Sequence, residues 1–202
     1  MFLTEVPYRR NGKSAVFFDD HVEFGGQSIR YDEIETLTTN GRTTIHTFIG
    51  IPVGRSFDGG VQFKMNNGKT AKIIMSAWTL FGIPVIWPRR PRTSEKLYPP
   101  MFDAVYSIVA RHMAQKYIYW IQGGATVEVA GFTINSSGAT TKAKLSKNIT
   151  TINKENYSTC QIKNDYGIAV FDKHGDMLWQ TFWGSSYKNV LLIPYIFEVI
   201  FT

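Results

Sequence analysis

GVQFKMNNGKTAKIIM, residues 60–75, reads as a β-hairpin and sets the class of the chain around it. Val61, Phe63 and Met65 alternate with polar residues, Asn66-Asn67-Gly68 turns the chain, and residues 70–75 return. Toward the N-terminus the same period of two continues. Ala15, Phe17, Val22, Phe24, Ile29 and Tyr31 recur near alternation, broken by Asp19-Asp20 and Gly25-Gly26. Residues 31–37 (YDEIETL) predict a short strand, and Asn40-Gly41 is a turn signal. Residues 45–60, with Gly50, Pro52, Gly54 and Gly59-Gly60, read as irregular strands and a long loop.

Toward the C-terminus, residues 76–93 combine Trp78, Leu80, Phe81, Ile83, Val85, Ile86 and Trp87 with Gly82, Pro84 and Pro88. The prolines argue against a regular helix or a central strand, so an irregular connector is expected. Pro99-Pro100 then opens a helix over 101–122. Phe102, Val105, Val109, His112 and Met113 fall on one face, and Gly123-Gly124 stops it. Beyond it the strand pattern resumes around Val127, Val129, Phe132 and Ile134. Further strands are expected over 146–152 and 157–163, and a second hairpin at Asp172-Lys173-His174-Gly175. A final helix, capped by Ser185 or Ser186, would run from Tyr187 and be kinked or start late at Pro194.

Two segments repeat. Val22-Glu23-Phe24-Gly25-Gly26 aligns with Val127-Glu128-Val129-Ala130-Gly131 at an offset of 105. Gly60-Val61-Gln62-Phe63, ending at Gly68, aligns with Gly167-Ile168-Ala169-Val170, ending at Gly175, at an offset of 107. Ile34 to Leu37 against Ile149 to Ile152 needs an offset of 115, which a longer early loop in the second copy would supply. The chain therefore reads as mainly β (α+β): two antiparallel β-barrel or sandwich modules, over 1–123 and 124–202, each ending in one helix.

Several short strands followed by one helix is the plan of the pleckstrin-homology-like superfamily, and the first copy resembles its bacterial members. The resemblance rests on Val22-Glu23-Phe24-Gly25-Gly26, on Ile29-Arg30-Tyr31-Asp32-Glu33-Ile34, and on Gly60-Val61-Gln62-Phe63 with Asn67-Gly68. It implies a β-barrel plugged by a helix that acts as a binding or scaffolding module. It carries no catalytic residues over, because the superfamily has no shared catalytic set.

Composition narrows the chemistry. With 202 residues, 44% hydrophobic and 19% charged, the chain is an ordinary globular one, not wholesale disorder. Its one Cys excludes an intramolecular disulfide and a cysteine zinc cluster. The charge is +6 and lies mostly in residues 1–123, with 15 basic and 10 acidic groups. Asn135, Asn148 and Asn156 match the glycosylation triplet, but residues 1–12 have no apolar signal, so a cytoplasmic location, peripheral to a membrane at most, is expected.

Asp19-Asp20-His21 and Asp172-x-His174-x-Asp176 read as turns rather than metal sites. Cys160, in a strand, reads as an inert thiol, His112 as a hydrogen-bonded core histidine, and Asp32, Glu33 and Glu35 as a solvated strand edge. No catalytic, cofactor-binding or metal residues are expected. The one candidate site is Trp87, Arg89, Arg90 and Arg92, where arginines beside a tryptophan suit an anionic partner. The expected function is a non-enzymatic binding or scaffold protein contacting a protein or an anionic membrane surface. Two alternatives stand beside it: a nucleic-acid-binding β-protein using 87–92, and an enzyme without a recognisable motif. The final helix, apolar nearly all round with only Glu198 charged beyond Lys188, is either core or a contact with another chain, as in a homo-oligomer, or with lipid.

Overall fold

Four antiparallel sheets and three helices carry the described residues, which are 1–8, 13–80, 83–84, 91–142, 149–163, 167–181 and 188–202 of this computed structural model. The chain forms two units, Met1–Val109 and Ala110–Thr202.

In the first unit, β1 (Phe2–Pro7), β2 (Ser14–Phe18), β3 (His21–Phe24) and β4 (Gln27–Arg30) form a meander. A 3-10 turn, Tyr31–Glu33, leads to the second sheet. There β5 (Ile34–Phe48) and β6 (Ile51–Met65) make a long hairpin. Along the free edge of β6, β7 (Thr70–Ile74) pairs with Gly60 to Lys64 and β8 (Ala77–Leu80) with Gly54 to Phe57; β9 (Ile83–Pro84) closes the edge. Period-two burial produces this. Phe17, Val22, Phe24, Ile29, Leu37, Val61, Phe63 and Ile73 are buried, and Phe24 meets Phe63 at 5.8 Å between rings, joining the two sheets.

The second unit also runs from a four-stranded sheet to a second sheet and then a helix, its second sheet having three strands where that of the first unit has five. β10 (Val127–Val129), β11 (Phe132–Asn135), β12 (Gly138–Lys142) and β13 (Ile149–Ile152) form one sheet; β14 (Tyr157–Ile162), β15 (Ile168–Asp172) and β16 (Met177–Gln180) form the other. All four sheets are open, so the closed barrel expected from the sequence is corrected: no first-to-last strand pairing exists among the described residues. Aromatic rings close the core instead. Phe132 lies 4.8 Å from Trp179 and 5.3 Å from Phe197, and Tyr157 packs on Phe197 and Phe201.

The long helix departs from its expected start. It begins at Pro91, not Pro99: α1 is Pro91–Ala104, a π segment covers Val105–Ala110, and α2 is Arg111–Gln122. Pro91 takes the first helical position, while Pro99 and Pro100 sit inside and remove the bonds that the carbonyls of Glu95 and Lys96 would accept. Burial on the sheet offsets that cost, since Ser94, Tyr98, Met101 and Phe102 all face inward. Val105, Val109 and Met113 are buried as the spacing predicts. α2 packs on β10, β11 and the last helix, so the division between units falls inside the long helix rather than at Gly123-Gly124.

The last helix starts late, as Pro194 requires. A 3-10 turn, Val190–Leu192, precedes α3 (Ile193–Phe201), with Pro194 in its first turn. Ser185, Ser186 and Tyr187 lie outside the described residues. Ile193, Ile196, Phe197, Ile200 and Phe201 are buried within the unit, leaving Glu198 and Val199 outward. No described helix is long and apolar enough to cross a membrane.

The repeated segments share backbone geometry. Val22 pairs with Ile29 and Val127 with Ile134, and both hairpins turn through two left-handed residues: Gly25 and Gly26 at φ 57° and 76°, Ala130 and Gly131 at 53° and 81°. The first is the third and fourth strand of its sheet, the second the first and second. The other pair agrees in position too. Met65 donates to the Lys69 carbonyl and Gly68 to Met65, as Asp172 donates to Asp176 and Gly175 to Asp172. Ala130 has a Cβ where Gly25 has none, and a left-handed alanine costs roughly 1 kcal/mol. Ala130→Gly should therefore raise stability by about 0.5–1 kcal/mol, read as a higher urea midpoint with an unchanged slope. A lower midpoint would contradict the turn.

Candidate interaction site

The site builds up from α1 seated on the β5–β6 ribbon. Gly41 of β5 pairs with Gly59 of β6, in mid-strand; Asn40-Gly41 is not the turn its composition suggested. A Cβ at Gly41 would stand 2.3 Å from the Tyr98 ring of α1, and one at Gly60 would stand 2.7 Å from the Ile73 carbonyl oxygen. Gly41 therefore makes room for Tyr98, which is fully buried with Phe57 at 5.5 Å and Phe102 at 6.2 Å, and Gly60 makes room for the backbone of β7. One turn earlier on the helix, Glu95 accepts two hydrogen bonds from the Arg55 guanidinium, at 2.6 and 2.8 Å, and one from the Thr43 hydroxyl. Thr43, Arg55 and Phe57 share the ribbon face toward α1 because strand residues two apart point the same way.

Past this seat the ribbon continues as an arm. Residues 45–60, expected as irregular strands and a long loop, are paired strand on both sides of the Ile49-Gly50 turn: a register shift between His46 and Thr47 leaves Val53 unopposed beside Pro52, which sits opposite Thr47. On the outer face His46 Nε2 lies 3.0 Å from Ser56 Oγ, and its ring lies 5.8 Å from Trp78, which β8 places opposite Ser56. The pair and the Trp78 ring together fasten the arm's outer face. The last rungs, Thr47 with Pro52 and Phe48 with Ile51, are two-stranded among the described residues, because β8 ends opposite Gly54.

The tip carries the unusual chemistry. Ile49 and Gly50 turn the chain at φ 49° and 76°, the left-handed pair of a two-residue hairpin. Asn or Gly normally occupies the first position, and a β-branched residue there is a strained outlier. Ile49 is also 85% exposed, Phe48 and Ile51 are each 66% exposed, and Ile45 is 58% exposed. One residue thus breaks both the turn rule and the solvation rule, which makes it a candidate position for the site. Sequence reading missed it by assigning these residues to irregular strands and a long loop. The available signal was Phe48-Ile49-Gly50-Ile51 itself, apolar on both sides of one glycine.

Of the expected site, Trp87, Arg89 and Arg90 lie outside the described residues, and Arg92 falls in the first turn of α1. The other candidates resolve as structure. Asp172 Oδ1 accepts from the His174 and Asp176 amides, each at 2.8 Å, at a hairpin tip. His21 bonds Asp20 at 2.6 Å, and the hydrogen bond from His21 holds the Asp20 carboxyl below its usual range. Arg30 clasps Asp32 at 3.0 and 3.1 Å, and Lys64 reaches Glu35 at 2.7 Å. His112 is half-buried on α2. Among the described residues no group of three or more His, Cys, Asp or Glu could hold a metal ion.

Two measurements test this reading. Gly41→Ala pushes a methyl into the Tyr98 ring and should cost about 2–3 kcal/mol of unfolding free energy, with most of the loss recovered by adding Tyr98→Leu. Equal losses in the single and double variants would remove Tyr98 from the seat. Burial, reinforced by Glu198, pushes the Cys160 thiol up to about 12. Its thiolate fraction at pH 8 is then about a thousandfold below that of an ordinary cysteine, so disulfide reagents should label it slowly until the protein unfolds or the pH approaches that value. Rapid labelling of the folded protein at pH 8 would contradict this.

No protein-family model, curated protein or solved structure matches this chain.

Proposed function

We propose that this protein is a non-enzymatic binding module, a tandem of pleckstrin-homology-like units whose first unit docks on an anionic membrane surface. The observation that carries the reading is the arm: a rigidly seated ribbon that ends in exposed apolar residues instead of a polar turn. The order of a four-stranded sheet, a second sheet and a helix in each unit supports the superfamily resemblance, although the sheets are open and the second sheet has five strands in the first unit and three in the second. Arg89 and Arg90, in the sequence between β9 and α1, and Arg92, in the first turn of α1, supply the anion-binding charge beside Trp87 in this reading. Attraction of about 1 kcal/mol per arginine makes three of them worth roughly two orders of magnitude in membrane affinity.

The test is flotation with vesicles of phosphatidylcholine, with and without phosphatidylglycerol. Wild-type protein should float with the anionic vesicles at low salt and release as salt rises. The triple change Arg89→Gln, Arg90→Gln and Arg92→Gln should weaken that binding about a hundredfold and leave the melting temperature unchanged. Protein that ignores anionic vesicles at low salt but is retained on single-stranded nucleic acid, with a steep salt dependence, would replace this reading with the nucleic-acid one.

A further inference from the structure

Resting on the membrane-docking reading, we infer that Phe48, Ile49 and Ile51 at the arm tip form a wedge that enters the interfacial layer of a lipid bilayer. Four observations select lipid over other occupants. The first is shape. The two final rungs stand beyond β8 as a two-stranded ribbon, and with the turn they reach about 10 Å, the depth at which interfacial segments bury their apolar face.

The second is area. Three tip side chains and Ile45 offer only a few hundred Å2 of apolar surface, roughly half of the 800 Å2 per partner that a stable protein interface buries. A second copy of the chain, meeting tip to tip, falls short of that requirement. A bilayer needs no matching surface.

The third is the order of residue types along the arm. Apolar residues occupy the end, and the half-exposed Trp78 lies beside His46 about 15 Å behind it, at the level where interfacial tryptophans sit. From Arg42 to Phe57 the chain carries two arginines and a histidine but no Asp or Glu, so nothing in that stretch is repelled by anionic headgroups. The fourth is the turn itself. An asparagine at position 49 would relieve the left-handed strain and solvate the tip at once, yet isoleucine stands there with its side chain 85% exposed.

Ile49→Asn is the decisive variant, because Asn-Gly is the favoured sequence for this turn and folding is preserved or improved. On vesicles of equimolar phosphatidylcholine and phosphatidylglycerol, Ile49→Asn should bind about tenfold or more weakly than wild type, and Ile49→Leu about as well as wild type. An environment-sensitive dye on Ile49→Cys, in a Cys160→Ala background, should shift to the blue when vesicles are added and be quenched by brominated lipid chains. Full binding by Ile49→Asn, or a dye that stays in water on vesicle-bound protein, overturns the wedge. If the triple arginine change still abolishes binding in that case, membrane docking stands without it. A concentration-dependent dimer that Ile49→Asn dissolves would assign the tip to a second copy and also overturn the inference. Wild-type protein that fails to bind these vesicles at all removes both readings together.

Discussion

The contact between the Tyr98 ring and the bare backbone of Gly41 is the constraint on which the first unit depends. A helix can approach a β-ribbon this closely only where side chains are missing: Gly41 supplies the gap under Tyr98, and Gly59, opposite it on the next strand, leaves room for the Phe57 ring that packs against Tyr98. Burying an aromatic ring of this size stabilises by roughly 4–6 kcal/mol in area terms, an upper bound. That is enough to hold α1 in place despite two internal prolines. The Glu95 carboxylate, gripped by Arg55 and Thr43, then fixes the helix along the ribbon. Being partly exposed, that ion pair sets orientation more than it adds stability.

Seating the helix has a mechanical consequence for the arm. β5 and β6 are held from one side by α1 and along the edge by β7 and β8, so the ribbon leaves the unit in a defined direction. A free two-stranded hairpin is marginal in water. Here its base is anchored by Phe57 under Tyr98 and its middle by the His46, Ser56 and Trp78 cluster. Only the last rungs lack such support, and there the apolar residues are exposed. An anchored ribbon can carry strain at its end, because the left-handed isoleucine is held by the pairing behind it.

The second unit reaches a related order of elements with different packing. Its three-stranded sheet repeats the hydrogen bonds of the β6–β7 turn at β15–β16, but its core is closed by Phe132, Trp179, Tyr157, Phe197 and Phe201 around α3. The almost uniformly apolar character of α3 follows from this. A helix that meets α2 on one side and β14 on another has little face left for water.

Local chemistry wrote some of the fold into the sequence. Alternation placed the strands around Ala15 to Ile29, Val61 to Ile73 and Val127 to Ile134 but not β1, β8 or β9, and Asn67-Gly68 and His174-Gly175 marked turns that form as expected, since a hairpin is decided by residues close together in the chain. The buried face of the long helix and the late start of α3 were legible for the same reason. What sequence could not settle was the meaning of glycine and proline at a distance. Gly41, Gly54, Gly59 and Gly60 look like loop residues until Tyr98 and the Ile73 carbonyl are brought beside two of them. Pro99 looks like a helix start until the sheet buries the turn before it. The arm and its tip follow from those two misreadings, because whether Ile49 is core, loop or exposed wedge depends on where the ribbon points. That direction is fixed by a helix some fifty residues away in sequence, through contacts that no local pattern encodes.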